Sequence, residues 1–194
     1  MKIGIDLDGV VYDTERAFRY YADYYSYFEL GKERLHPEFS NQEKSFEWTR
    51  EQTEYFFKKY YEKVILAGEF LGAREILQKL QADGHELFII TTRGIDGYQH
   101  EIDLTLPKLK ELGVDFAGMF FAQRGKFDTC KMLGIDVMID DRFENVVAFD
   151  GSDMLALYFR EAFGRHCDSK NVIEVDSWMR IYREIKKLEE KFKK

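Results

Sequence analysis

The chain opens with Lys2-Ile3-Gly4-Ile5-Asp6-Leu7-Asp8-Gly9-Val10, a short apolar run that contains two aspartates and then a glycine. Its residues 2–7 predict a short β-strand, and Asp8-Gly9 predicts a turn at the carboxyl end of that strand. A strand that ends in this way delivers acidic side chains to one edge of a sheet. Other strands with the same kind of ending would bring further polar groups to that edge.

Two later apolar runs also end in polar residues. Leu87-Phe88-Ile89-Ile90 leads into Thr91-Thr92-Arg93, and Val137-Met138-Ile139 leads into Asp140-Asp141-Arg142. Wholly apolar runs of this length are typical of parallel strands that are covered on both faces. They predict two further strands of the same sheet.

Strands and helices alternate through residues 67–194, which predicts an α/β fold with a Rossmann-like parallel sheet. Residues 14–66 differ, because their aromatic side chains recur at helical spacing. We therefore predict two domains, a core of residues 1–13 and 67–194 and a small all-helical cap of residues 14–66 inserted after the first strand. Further core strands are predicted near Gly118–Ala122, Met154–Phe159 and Val172–Val175, and helices near Leu104–Leu112, Phe127–Leu133 and Ser177–Phe192.

The composition excludes several classes of protein. The 194 residues include 36 acidic and 29 basic side chains, for a net charge of −7, and 16 % are aromatic. The aromatic content argues against a disordered chain, and the negative charge argues against a large nucleic-acid interface. No apolar run is long enough for a transmembrane helix, and acidic residues appear too early for a signal peptide. Because Cys130 and Cys167 are too few for a disulfide framework, we expect a cytoplasmic protein.

Chemistry is expected where the strands end, since ligands of open parallel sheets bind at the carboxyl ends of the strands. Clustered carboxylates repel one another and need a cation, and oxygen ligands favour Mg²⁺. A lysine and hydroxyl groups beside Mg²⁺ suit a phosphate group. The residues expected at this edge are Asp6, Asp8, Thr91, Thr92, Lys126, Asp140 and Asp141.

In their order along the chain, Asp6-Leu7-Asp8-Gly9-Val10, Thr91, Lys126 and Asp140-Asp141 resemble the four motifs of the haloacid dehalogenase (HAD) superfamily. The resemblance covers about residues 1–13 and 70–160 and leaves room for a cap between the first and second motifs. The dehalogenases of this superfamily lack an acid two residues after the nucleophile. Asp8 therefore indicates phosphoryl transfer, and the resemblance implies a Mg²⁺-dependent phosphatase.

The resemblance also implies a role for each motif residue. Asp6 would attack phosphorus to form an aspartyl-phosphate, and Asp8 would act as general acid and then general base. Thr91, and by extension Thr92, would bind the phosphate, and Lys126 would neutralise nucleophile and phosphate. The implied metal ligands are Asp6, Asp8 (through its backbone carbonyl), Asp140 and Asp141.

Within the superfamily, residues 87–92 and 139–142 are similar to the 5′(3′)-deoxyribonucleotidase-like branch. This likeness implies a (deoxy)nucleoside 5′-monophosphate as substrate, with cap aromatics stacking on the base. Phe18, Phe46 and Trp48 are the candidates. That branch carries its lysine nearer the aspartate pair, where Lys131 lies, whereas the loop-like Arg124-Gly125 favours Lys126.

Several alternatives remain open at this point. The enzyme could be a phosphatase or phosphomutase for a sugar phosphate or another small phosphate, or the chain could be a non-catalytic binding protein on a HAD scaffold. The sequence does not decide which of Asp140 and Asp141 contacts the metal directly, or whether Arg93 and Arg142 face phosphate or solvent. A homo-oligomer is compatible with the sequence, and no membrane partner is expected.

Overall fold

The computed structural model describes residues 1–36, 42–95, 99–160 and 165–192. The chain divides into two compact units, one made of Met1–Tyr12 and Glu69–Lys194 and the other of Asp13–Gly68. Residues 37–41 of the predicted cap lie outside the described residues.

The first unit contains a parallel sheet of six strands in the order β3-β2-β1-β4-β5-β6. The predicted α/β fold with a parallel, Rossmann-like sheet is confirmed. In chain order the strands are β1 (Lys2–Ile5), β2 (Glu86–Ile90), β3 (Gly118–Phe120), β4 (Val137–Asp140), β5 (Leu155–Phe159) and β6 (Val172–Val175).

Helices connect these strands and form the second unit. No helix among the described residues has the length and apolar character needed to cross a bilayer. In chain order the helices are α1 (Thr14–Tyr24), α2 (Gln42–Phe46), α3 (Arg50–Ile65), α4 (Ala73–Ala82), α5 (Gln99–Glu111), α6 (Lys126–Leu133), α7 (Phe143–Val146) and α8 (Trp178–Phe192).

The apolar strands are covered on both faces of the sheet, as their sequences indicate. Successive side chains point to opposite faces. Ile89 accordingly belongs to one buried cluster, with Leu87 and Ile5, and Ile90 belongs to the other, with Met138. Trp178, at the start of α8, is also buried in the first cluster, where its indole N–H donates to the Val10 carbonyl at 2.9 Å.

The elements described in the second unit are all helices, joined by short non-helical segments, and the unit has an aromatic core of its own. A π-helical turn, Tyr25–Glu29, follows α1 directly. The Thr49 side chain accepts from the Gln52 backbone N–H at the start of α3, while the Gln52 side chain accepts from the Thr49 N–H, which satisfies two free donors of the helix end. The buried core consists of Ala22, Tyr25, Phe46, Trp48, Phe56 and Tyr60.

Candidate active site

Three strands that lie side by side, β2, β1 and β4, deliver polar residues to the same edge of the sheet. Asp6 follows β1, Thr91 follows β2, and Asp140 is the last residue of β4. The Asp6 backbone N–H donates to the Ile139 carbonyl at 3.0 Å, which holds the ends of β1 and β4 together. The parallel topology thus brings together residues that are far apart in the sequence.

Lys126 is buried among two of these carboxylates. Its Nζ lies 2.6 Å from Asp6 Oδ2 and 2.7 Å from Asp140 Oδ2. Burial by itself lowers the pKa of a lysine, but the charges of Asp6 and Asp140 outweigh it here, so the pKa of Lys126 is raised and the ammonium stays charged. Lys131 is exposed further along α6. The structure therefore brings Lys126, and not Lys131, to the two carboxylates.

Both carboxylate oxygens of Asp140 accept hydrogen bonds from protein groups. The Arg142 backbone N–H donates to Oδ1 at 2.9 Å, and the Asn145 side-chain amide donates to Oδ1 and Oδ2 at 2.9 and 3.0 Å. Lys126 supplies the fourth contact. Sequence reasoning missed Asn145, a polar residue in the short helix α7 that follows β4.

A group of three carboxylates, Asp6, Asp140 and Asp141, has oxygen atoms within 4.8 Å of one another. Burial raises the pKa of Asp6 to about 7, with Lys126 opposing and Asp140 and Asp8 adding to the shift. Burial and the charges of Asp6 and Asp140 likewise raise the pKa of Asp141 well above its usual range. No donor among the described residues reaches the Asp141 carboxylate. An oxygen-only set with an unpartnered carboxylate fits a hard divalent cation.

Gly9 brings the main chain against this carboxylate group. It adopts φ +71°, and a Cβ built on it would lie only 2.1 Å from Asp141 Oδ2. Glycine is therefore required here for two reasons, the left-handed backbone and the close approach.

Asp8 points its carboxylate toward Arg93 and is not part of the three-carboxylate group. Arg93 Nη2 lies 2.7 Å from Asp8 Oδ1, and Nε lies 3.3 and 3.1 Å from Oδ1 and Oδ2. The Arg93 side chain is 1 % exposed and that of Asp8 is 33 % exposed. The sequence left Arg93 undecided between phosphate and solvent, and the structure places it inside the protein. Arg142 is exposed.

The remaining candidates lie in two places. Thr91 is fully buried and its hydroxyl accepts the Arg93 backbone N–H at 3.3 Å, while Thr92 is half-buried. Phe46 and Trp48 are buried in the aromatic core of the second unit, with rings 5.8 Å apart and nearly parallel. Phe18 packs edge-on against Phe56 in the same unit at 5.2 Å. A role of these rings in substrate choice stays a prediction.

Solved structures with the same fold include several HAD-superfamily proteins. A haloacid dehalogenase-like hydrolase from Streptococcus pneumoniae matches 95 % of this chain and 97 % of its own, with TM-score 0.62 and 17 % identity. A β-phosphoglucomutase from Clostridium difficile matches 98 % of this chain and 97 % of its own, with TM-score 0.57 and 15 % identity. At such low identity these likenesses establish the fold alone, and they confirm the predicted HAD-like fold.

Sequence comparison reaches further than fold. A Chlorobaculum tepidum protein, provisionally named as a 5′(3′)-deoxyribonucleotidase, is 27 % identical over 117 residues. That match spans 59 % of this chain and about half, 54 %, of the length of the curated relative. The sequence profile of the family described as "5′ nucleotidase, deoxy (Pyrimidine), cytosolic type C protein" matches residues 1–191. Because that match covers nearly the whole chain, the protein belongs to this 5′-nucleotidase family.

Proposed function

We propose that the protein is a phosphomonoester hydrolase that acts through an aspartyl-phosphate on Asp6, with a (deoxy)nucleoside 5′-monophosphate as substrate. The observation that carries the proposal is the contact of Lys126 with Asp6 and Asp140, at 2.6 and 2.7 Å, beside the unpartnered carboxylate of Asp141. The family description and the name of the Chlorobaculum relative support the nucleotide as substrate. The family description also supports the cytoplasm as the compartment.

The proposed cofactor is Mg²⁺, held by the carboxylates of Asp6 and Asp141, with the backbone carbonyl of Asp8 as a further ligand. When bound, Mg²⁺ would stabilise negative charge on the phosphoryl oxygens and on the clustered carboxylates. Asp141 is the better candidate for direct contact than Asp140, because all the oxygens of Asp140 already accept hydrogen bonds from protein groups. Asp140 then orients Lys126 and supplies charge nearby.

The first chemical step forms the covalent intermediate. A carboxylate oxygen of Asp6 attacks phosphorus, the ester P–O bond breaks, and the Asp8 carboxyl gives its proton to the departing oxygen. The buried ammonium of Lys126 and the Thr91 hydroxyl stabilise the charge on the transferring group. The product alcohol leaves with the proton from Asp8.

The second step regenerates the enzyme. The Asp8 carboxylate now takes a proton from a water molecule, whose oxygen attacks the phosphorus of the aspartyl-phosphate. The bond between phosphorus and Asp6 breaks, Asp6 returns to a carboxylate, and inorganic phosphate is released. Asp8 ends the cycle protonated, as it began.

The decisive experiment compares Asp6→Asn with the wild type in release of phosphate from a nucleoside monophosphate and from p-nitrophenyl phosphate, with Mg²⁺ present. We expect Asp6→Asn to lower kcat by about 1,000-fold or more, because the amide is not a nucleophile. Asp115→Asn is the matched control, since Asp115 is an exposed aspartate of the same unit. A fully active Asp6→Asn protein would refute the mechanism.

The substrate class is tested with a panel of nucleoside monophosphates and sugar phosphates. We expect kcat/KM to be highest for nucleoside monophosphates. A preference for sugar phosphates, or equally feeble rates across the whole panel, would overturn the nucleotide assignment and leave the mechanism to be judged by Asp6→Asn alone.

A further inference from the structure

Arg93 is a buried charge whose nitrogens all meet acceptors. Its Nε and Nη2 donate to the Asp8 carboxylate, as described above, and its Nη1 donates to the Thr105 hydroxyl at 2.8 Å. A two-pronged contact between guanidinium and carboxylate fixes the orientation of both groups as well as their distance. Asp8 is thereby held from one side while part of its carboxylate stays exposed.

The position of Arg93 is itself fixed from helix α5. The Thr105 hydroxyl donates to the Glu101 carbonyl at 2.6 Å, and the Glu101 carboxylate accepts the Gly94 backbone N–H at 2.8 Å. Both α5 residues are buried. They hold the guanidinium and the loop that carries it, so the arrangement does not depend on Asp8 alone.

An aromatic ring completes the surroundings of the guanidinium. The ring centre of Tyr12 lies 5.2 Å from Arg93 Cζ and 4.5 Å from Lys108 Nζ. Tyr12 lies two residues after the first motif in the chain, and its ring is almost fully buried. Arg93 is therefore enclosed by α5, by Tyr12 and by Asp8, which leaves it little freedom to turn toward solvent.

We infer that Arg93 is a positioning residue, which holds the Asp8 carboxyl where it can give its proton to the leaving oxygen. This inference rests on the proposed function, because it assigns Asp8 the role of general acid. It predicts a selective effect. Proton donation matters greatly for a basic leaving group such as a nucleoside alkoxide, and little for the weakly basic p-nitrophenolate.

The test compares kcat/KM for a nucleoside monophosphate and for p-nitrophenyl phosphate in Arg93→Gln and in the milder Arg93→Lys. The value of kcat/KM depends only on the steps up to and including departure of the leaving group. We expect kcat/KM for the nucleotide to fall by about 100-fold in Arg93→Gln, and that for p-nitrophenyl phosphate by less than about 5-fold. Arg180→Gln, at an exposed arginine of α8, is the control and should change neither.

A double-mutant cycle with Asp8→Asn gives an independent readout. If Arg93 acts through Asp8, then Arg93→Gln should cause almost no further loss of nucleotide hydrolysis in the Asp8→Asn background. Thr105→Val, which removes one acceptor of Arg93 and keeps the residue's shape, should show the same substrate selectivity in weaker form. Thr105→Val replaces Arg93→Gln as the test variant if the Arg93→Gln protein folds poorly.

Equal losses on both substrates, or additive losses in the double mutant, would overturn the positioning role and show that Arg93 only stabilises the fold. The failure of the proposed function has a different signature. A wild-type protein that hydrolyses neither substrate, or an Asp6→Asn protein that hydrolyses both, would overturn the mechanism and this inference with it.

Discussion

Gly9 and Gly151 share one backbone conformation and differ in their surroundings. Both adopt φ +71°, but a Cβ on Gly9 would meet Asp141 Oδ2 at 2.1 Å, whereas a Cβ on Gly151 would meet nothing within 4 Å. Alanine at position 151 is therefore destabilising only because of the left-handed backbone conformation. Alanine at Gly9 must also displace a carboxylate of the proposed metal site.

This difference predicts the effects of two matched substitutions. Gly151→Ala should lower the free energy of unfolding by about 1–2 kcal/mol and leave activity unchanged. Gly9→Ala should lower it by a further ~1–3 kcal/mol and also lower kcat, because Asp141 is pushed aside. Urea unfolding and phosphate release measure the two effects. Equal stability losses with full activity in Gly9→Ala would contradict the close approach.

The site residues that the sequence predicts differ from those it does not predict in whether a local pattern of the sequence marks them. Asp6, Thr91 and Asp140 could be predicted because each stands directly after an apolar run of the sequence. Arg93 could not be placed, because its partner Asp8 is 85 residues away in the sequence. Asn145 was missed because an amide in a short helix has no chemical signature until the Asp140 carboxylate is seen beside it.

For β3 and α5, the sequence predicts the type of element correctly but misplaces the residue at which the element begins or ends. Strand β3 ends at Phe120 and not at Ala122, since Ala122 adopts φ +57° and cannot continue a strand. Helix α5 begins at Gln99, five residues before the predicted start, because its first turn carries polar residues that give no apolar periodicity. It also continues through Pro107, which local rules place at a helix start.

A buried hydrogen bond joins the segment before α3 to the π-helical turn of the second unit. The Trp48 indole N–H, just before α3, donates to the Ser26 hydroxyl of the π-helical turn at 2.9 Å, and both residues are buried. A double-mutant cycle of Trp48→Phe and Ser26→Ala should give a coupling of about 1 kcal/mol in the free energy of unfolding. Each single change leaves one buried polar group unpaired, and the double variant leaves neither. A coupling near zero would contradict the bond.

For the whole molecule, the acidic group predicts a stability that depends on Mg²⁺. Asp6, Asp140 and Asp141 repel one another in a buried setting with Lys126 as a partial counter-charge, so a bound cation should stabilise the folded state. Stability rises by about 2.7 kcal/mol when Mg²⁺ is present at 100 times its Kd. Thermal unfolding with chelator and with Mg²⁺ measures the shift in Tm.

Asp141→Asn is the control for this experiment. It removes one charge from the group, so in chelator the variant should be at least as stable as the wild type, and added Mg²⁺ should no longer raise its Tm. A wild-type Tm that does not respond to Mg²⁺ would contradict the proposed metal site.

The α/β architecture of the first unit was predictable because parallel strands that are buried on both faces are recognisable in the sequence as apolar runs. Their order in the sheet was not, since no local pattern states that β4 pairs with β1 while β3 lies at one edge. The structure has two compact units, one of which is Asp13–Gly68. That residues 14–66 form a cap domain on a separate core domain stays a prediction.

The two tryptophans of the chain fall one in each compact unit, Trp48 in the second and Trp178 in the first. Each indole is shielded from water and bound to a fixed acceptor. The chain therefore carries one tryptophan fluorophore in each unit. In Trp48→Phe the tryptophan emission comes from Trp178 alone, and in Trp178→Phe it comes from Trp48 alone. Fluorescence of the two variants can then show whether the units melt in one cooperative transition or one after the other.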